Sequence, residues 1–363
     1  MRLARVFAAA LGTVLVACVA AEIVLRARAF DPVGDLRRAG PVVIRASRQP
    51  GLKYELTPGA HAVAWGSDVR VNSAGFRERE FAREKTPGSR RIVVLGDSVT
   101  FGTALAAGET YPKRIEALLA PQHAEVLNLA VPGYDILDEV AVLENVGLEL
   151  DPGLVVVGYC INDVGVHSLN LEYIEGIERF DSPLYHLRIA QWLARETQRR
   201  ELGDWMERVN RDDNFSRRFA GKIALIAGDE ELEAMRRQLA EYCDTHAAEL
   251  TTHPFLGWYA STPKLGRLRF ALERFAALAR ERQFALEIVF LPYLKSDEHP
   301  AAYANVRAIV AHECERTGLD FFDPLPLFGG DLREFRQTPQ DGLHLNAAGH
   351  ERLASALVPL LSR

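Results

Sequence analysis

Five residues far apart in the chain have the types that nucleophilic acyl transfer requires: Ser98, Gly133, Asn162, Asp341 and His344. A serine hydroxyl attacks poorly until a base takes its proton, and histidine titrates close to neutral pH. Asp341 and His344 stand three apart, close enough for the carboxylate to hold one ring N–H while the other ring nitrogen faces Ser98. The oxyanion of a tetrahedral intermediate would then be met by the backbone N–H groups of Ser98 and Gly133 and by the Asn162 amide. Each residue also has a plain reading. Ser98 suits a helix cap, Gly133 a turn after Pro132, Asn162-Asp163 a turn, and His344 a place near a helix start. The chemistry therefore depends on whether the fold brings all five to one place.

The elements that could do so are legible. Ile92–Leu95 is a β-branched and aliphatic run that stops at Gly96-Asp97-Ser98, which predicts a strand, a tight turn and a helix. Further strands are expected at Glu125–Leu129, Leu154–Tyr159, Ala285–Leu291 and Leu319–Phe322. Helices are expected near Tyr111–Leu119, Ile136–Leu148, Leu265–Arg282, Ala302–Thr317 and Ala347–Leu360. The apolar runs are short and continuous, as in parallel strands buried on both faces. The prediction is an α/β fold, a flavodoxin-like three-layer α/β/α sandwich on a five-stranded parallel sheet. Parallel strands deliver their carboxyl ends to one rim. Ser98, Gly133, Asn162 and the Asp341–His344 pair all follow strands or precede the closing helix, so they meet there.

Four blocks carry a family resemblance: Gly96-Asp97-Ser98, Gly133, Asn162-Asp163 and Asp341–His344. With them the sequence resembles the SGNH hydrolases, the GDSL esterase and lipase superfamily, from Arg91 to the C-terminus apart from an insertion. The resemblance implies a Ser-His-Asp esterase with a three-part oxyanion hole. Asn72-Ser73-Ala74-Gly75-Phe76-Arg77 also resembles a segment that precedes the serine block in membrane-anchored bacterial members. Two positions depart from the pattern. Val99 replaces the leucine after the serine, and Cys160 stands where the Asn162 block has glycine.

The remaining chain frames this domain. Val6–Leu25 is apolar, broken only by Glu22, and about long enough to span a bilayer. An uncleaved signal anchor is favoured over a signal peptide cut near Ala21 or a lipoprotein signal at Cys18, because Ile23-Val24-Leu25 prolong the apolar run. The expected organisation is an anchor at 1–28, a linker and N-terminal extension at 29–90, and a hydrolase domain at 91–363. Ala29–Pro50 reads as linker and Glu78–Arg90 as surface chain. The insertion, 164–263, is helical and leaves the third strand where a lid or substrate cap would sit. Its apolar stripes, Leu184, Leu187, Trp192 and Leu193, then Leu232, Met235, Leu239 and Tyr242, are expected to be packing faces.

Composition narrows the partners. A net charge of −6 argues against nucleic acid, which needs a basic face. Four scattered cysteines form no metal or redox motif; a Cys243–Cys314 bridge could form outside the cytoplasm, but two buried free thiols are favoured. Cys243, Asp244, His246 and His253 make a poor metal site, and His312-Glu313 lacks the second histidine of a zincin. No cofactor or metal is expected. The expected protein is an envelope esterase, anchored by its first helix, with its catalytic domain outside the cytoplasm and a small-molecule or glycan ester as substrate. An acyltransferase acting on surface glycans and a silent carbohydrate-binding protein are the alternatives.

Overall fold

Side chains alternate across the strand Arg90–Gly96: Ile92 and Val94 are buried on one side, Val93 and Leu95 on the other. Leu154–Tyr159 is likewise buried along its whole length, so neither strand has a polar face and each requires a helical layer on both sides. The computed structural model describes residues 2–28, 43–166, 186–209, 216–252 and 254–362, and it supplies both layers. Five parallel strands run in the order Ala124–Asn128, Arg90–Gly96, Leu154–Tyr159, Ala285–Phe290 and Asp320–Phe322. Helices Tyr111–Leu119 and Ala347–Leu361 cover one face through Ile115, Leu119, Leu353 and Leu357. Helices Ile136–Asn145, Thr262–Arg282 and Pro300–Thr317 cover the other through Leu143, Leu268, Leu272 and Ile309.

This is the expected sandwich. The first strand of the sheet lies between the second and the third, so the winding reverses beside it, and a crevice opens at the carboxyl ends of those strands.

The N-terminal part differs from expectation in two places. Ile44–Ala46, within the stretch expected to be linker, pairs antiparallel with Tyr54–Leu56. Three residues are too few to show a period of two. Glu78, expected on the surface, is buried, accepting from Lys113 Nζ at 2.8 Å and from the Asn128 backbone N–H at 3.0 Å. A buried carboxylate needs such partners, and both come from elements distant in sequence. The pieces expected at Ala62–Trp65 and Val69–Val71 form a hairpin, His61–Ala64 with Ser67–Arg70.

The described part of the insertion is largely helical. Ala220–Ala227 packs on Thr262–Arg282, and Glu230–Thr245 packs on Pro300–Thr317 with Leu232 and Leu239 buried. The expectation for the other stripe is corrected: Leu187, Trp192 and Leu193 are exposed, and Leu184 lies outside the described residues. The helix that carries Trp192 and Leu193, Arg188–Val209, and the residues just before it meet the first helix through polar contacts, Arg26 to the His186 carbonyl at 3.1 Å and the Ile189 N–H to Glu22 at 2.8 Å. A helix without a wide apolar stripe has little to bury. The first helix is Arg2–Ala27, and Arg5–Ala27 is long and apolar enough to cross a membrane by length and composition. Cys243 and Cys314 are both free, Cys314 buried as expected and Cys243 only partly so.

Candidate active site

The strand Arg90–Gly96 ends in a one-turn helix, Ser98–Phe101, that is far too short to hold itself. It is held from outside. Asp97 caps its start, its Oδ1 accepting the Val99 N–H at 2.9 Å. The cap role that Ser98 could have taken thus belongs to Asp97, and the serine hydroxyl is left for another partner. Asn128 Nδ2 donates to the Thr100 carbonyl at 3.0 Å. Arg77 supplies the other end: its Nη1 donates to the Gly102 carbonyl at 3.0 Å and its Nη2 to the Leu105 carbonyl at 2.6 Å and the Asp68 carbonyl at 3.0 Å. A cation at a helix C-terminus also suits the helix dipole. Thr100 tucks between two strand ends so tightly that a Cβ at Gly96 or Gly158 would lie 2.2 or 2.3 Å from its Oγ1.

At this turn the fold brings the sequence's candidates together. Ser98 Oγ is 2.8 Å from His344 Nε2, and His344 Nδ1 is 2.9 Å from Asp341 Oδ2. The other oxygen of Asp341 accepts the backbone N–H groups of Leu343 and His344, each at 2.9 Å, which fixes the carboxylate relative to the ring. Asn162 Nδ2 donates at 3.3 Å to Asp97 Oδ2, an oxygen that also lies 3.4 Å from Ser98 Oγ. Cys160, the departure from the family pattern, is buried without disturbing this turn: its N–H donates to Asp163 Oδ2 at 2.6 Å. Gly133 sits in a loop tied to the serine strand by Val131 N–H to the Gly96 carbonyl at 3.2 Å. Its φ of +80° is a conformation that favours glycine.

The N-terminal extension also grips that loop. Tyr54 Oη donates to the Pro132 carbonyl at 2.7 Å, and Tyr134 Oη donates to the Tyr54 carbonyl at 2.7 Å, so the two tyrosines clasp Gly133 from either side. Arg77 and Tyr54 were not among the residues singled out for the site. The segment Asn72–Arg77 carried a signal for the first; a lone tyrosine in an extended stretch carries none.

Electrostatics follow from burial and pairing. Burial pushes the His344 pKa down, but the hydrogen bond and charge of Asp341, with a further contribution from Asp97, outweigh it and leave the ring above its ordinary 6.5. Burial likewise raises Asp341, and His344 with the two backbone donors brings it below the usual carboxylate value. Beneath the rim, burial first and neighbouring carboxylates second push the pKa values of Glu139 and Asp163 well above the ordinary carboxylate value. Arg267 pairs with Asp135 and donates to the carbonyls of Asp163, Val164 and Gly165 at 2.9, 3.0 and 2.8 Å, fixing the end of the Asn162 turn.

A partly buried cluster of Asp229, His312 and Glu313 has ligand-like atoms near one another. Arg269 fills it, 3.0 Å from Asp229 and paired with Glu313, which makes it an ion-pair core. Of the poor metal candidates in the insertion, His253 lies outside the described residues.

Residues 94–352 match the model of the GDSL-like Lipase/Acylhydrolase family, well over half of the chain. The chain belongs to the GDSL-like lipase/acylhydrolase family. As a member it is a hydrolase acting on ester bonds. Solved structures similar to it include TesA, at 14% identity and a TM-score of 0.42, covering 75% of this chain and 98% of that one. Axe2, an acetylxylan esterase from Geobacillus stearothermophilus, is similar at 15% identity and a TM-score of 0.42, covering 76% of this chain and 96% of that one. A lipase/acylhydrolase from Enterococcus faecalis is similar at 15% identity and a TM-score of 0.40, covering 75% and 95%. No curated protein matches the chain.

Proposed function

We propose that this hydrolase is a serine esterase of the cell envelope that cleaves carboxylic esters with Ser98, His344 and Asp341. The single observation that carries the reading is the hydrogen-bonded relay from Ser98 Oγ through the His344 ring to Asp341. In the first half-reaction His344 Nε2 takes the Ser98 proton as Oγ attacks the ester carbonyl carbon. Asp341 orients the ring and stabilises the imidazolium. The oxyanion is met by the backbone N–H groups of Ser98 and Gly133 and by the Asn162 amide, donors held by loops that the extension braces. His344 then gives its proton to the leaving alcohol, and the acyl-serine is hydrolysed by a water that His344 activates in turn.

The substrate class follows from the family chemistry: an ester of a small molecule or a glycan. The envelope assignment rests on Arg5–Ala27, an apolar helix at the start of the chain with the length of a membrane span or a signal sequence. The test of the activity is Ser98→Ala assayed on a short-chain aryl ester, with release of alcohol and free acid both measured. The reading requires the variant to lose at least about 10⁴-fold in kcat while folding normally. Full activity in the variant overturns it.

A further inference from the structure

We propose that Gln337 is a positioning residue that sets the spacing between the loop carrying Ser98 and the loop carrying His344. The inference rests on the proposed roles of those two residues. Gln337 Nε2 donates to the Thr103 carbonyl and, at 3.2 Å, to the Leu345 carbonyl. Its backbone N–H donates to the His344 carbonyl, also at 3.2 Å. Thr103 in turn donates its N–H to the Ser98 carbonyl at 3.2 Å. One side chain thus completes a path of hydrogen bonds from the backbone of Ser98 to the backbone of His344, separate from the contact between Oγ and Nε2.

Both ends of this path need such a tie. The loop after Ser98 passes through Ala104, a non-glycine residue at φ +59°, a conformation that L side chains adopt rarely. On the other side, Gln337 is itself anchored. Arg336 forms an antiparallel bridge with Leu345, and its guanidinium donates to the Leu294 carbonyl at 2.6 and 3.1 Å. Asn346 Nδ2 donates to the Arg336 carbonyl at 3.2 Å.

The residue type fits the task. A primary amide offers two N–H groups on one nitrogen, which matches two carbonyl oxygens and adds no charge beside the His344 ring. A glutamate has the same shape and no donor, so it would face both carbonyls with lone pairs. Displacement of a base by a fraction of an ångström to an ångström costs about 10- to 100-fold in rate.

The experiment compares Gln337→Ala and Gln337→Glu with the unaltered full chain, using kcat and KM on a short-chain aryl ester, the rate of fluorophosphonate labelling, and Tm. The expected result is a loss of about 10- to 100-fold in both kcat and labelling rate, with KM within about twofold and Tm within a few degrees. Should the alanine variant fail to fold, the isosteric glutamate variant decides alone, because Gln337 is partly exposed and the shape is kept. Unchanged kcat and labelling in the glutamate variant, a change confined to KM, or a loss that only tracks Tm would each overturn the inference. Ser98→Ala run beside them separates the two claims: if it keeps full activity, the nucleophile assignment fails and not merely the role of Gln337.

Discussion

Asp341 holds His344 at two points: its Oδ2 lies 2.9 Å from the ring Nδ1, and its Oδ1 accepts the His344 backbone N–H at 2.9 Å. The carboxylate therefore fixes the ring's tautomer and raises its pKa together. The proposed mechanism needs the neutral ring, so the rate should rise with pH through a His344 pKa above 6.5. In Asp341→Asn the main raising partner is gone, leaving the smaller contribution of Asp97, while burial still lowers the pKa. The acid limb should move to lower pH and kcat should fall by about 10³- to 10⁴-fold. A pH–rate profile on a short-chain ester checks both; an acid limb that stays in place would show that Asp341 does not tune the ring.

Arg77 is expected to matter for stability as well as for the serine turn. It donates to the carbonyls of Gly102, Leu105 and Asp68, and truncation leaves these groups without it. At about 1 kcal/mol for each lost bond, Arg77→Ala should destabilise by about 3 kcal/mol, and Arg77→Lys by less. Urea unfolding of the two variants measures this.

His350 predicts an acid sensitivity of the fold. Its Nδ1 accepts the Tyr111 N–H at 3.0 Å, and burial, with Arg114 and His344 adding repulsion, pushes its pKa down to about 3. The ring is neutral in the folded chain and takes up a proton on unfolding below about 6.5. Its contribution is thus complete above that pH and is lost as pH falls toward 3. Against His350→Gln, the unaltered chain should lose up to about 5 kcal/mol more across that window. Unfolding curves at pH 7, 5 and 4 give the difference, in which the opposing effect of the buried acids Glu139 and Asp163, whose pKa values are raised, cancels. Parallel pH dependence in the two proteins would contradict it.

The first helix gives a prediction about location. Full-length chain expressed in bacteria should sediment with membranes and be released by detergent but not by salt, whereas a chain lacking residues 1–28 should stay in the supernatant. Release by salt alone would mean that Arg5–Ala27 does not span the bilayer.

Much of this molecule was legible because its signals are local or periodic. The five strands and the helices between them declare themselves as apolar runs; Leu154–Tyr159 begins and ends as expected. Ser98, Asp341 and His344 were recognisable by type and spacing, and the sheet's single rim explains why they meet. The rest depends on contacts that leave no pattern in the chain. Ile44–Ala46 is a strand only because Tyr54–Leu56 pairs with it. Glu78 reads as surface charge until Lys113 and the Asn128 N–H are placed beside it. Gln337 is an ordinary polar residue until its amide is seen between two loops. The exposure of Trp192 and Leu193 shows the converse, since an apolar spacing does not ensure a partner.

The central claim is that Ser98 is the nucleophile, and covalent labelling tests it most directly. The full chain is treated with an activated fluorophosphonate, digested, and mapped by mass spectrometry, with Ser98→Ala in parallel. The account predicts a single phosphonylated residue, Ser98, and no labelling of the variant. A modified residue elsewhere, or labelling of Ser98→Ala at the same rate, would contradict it.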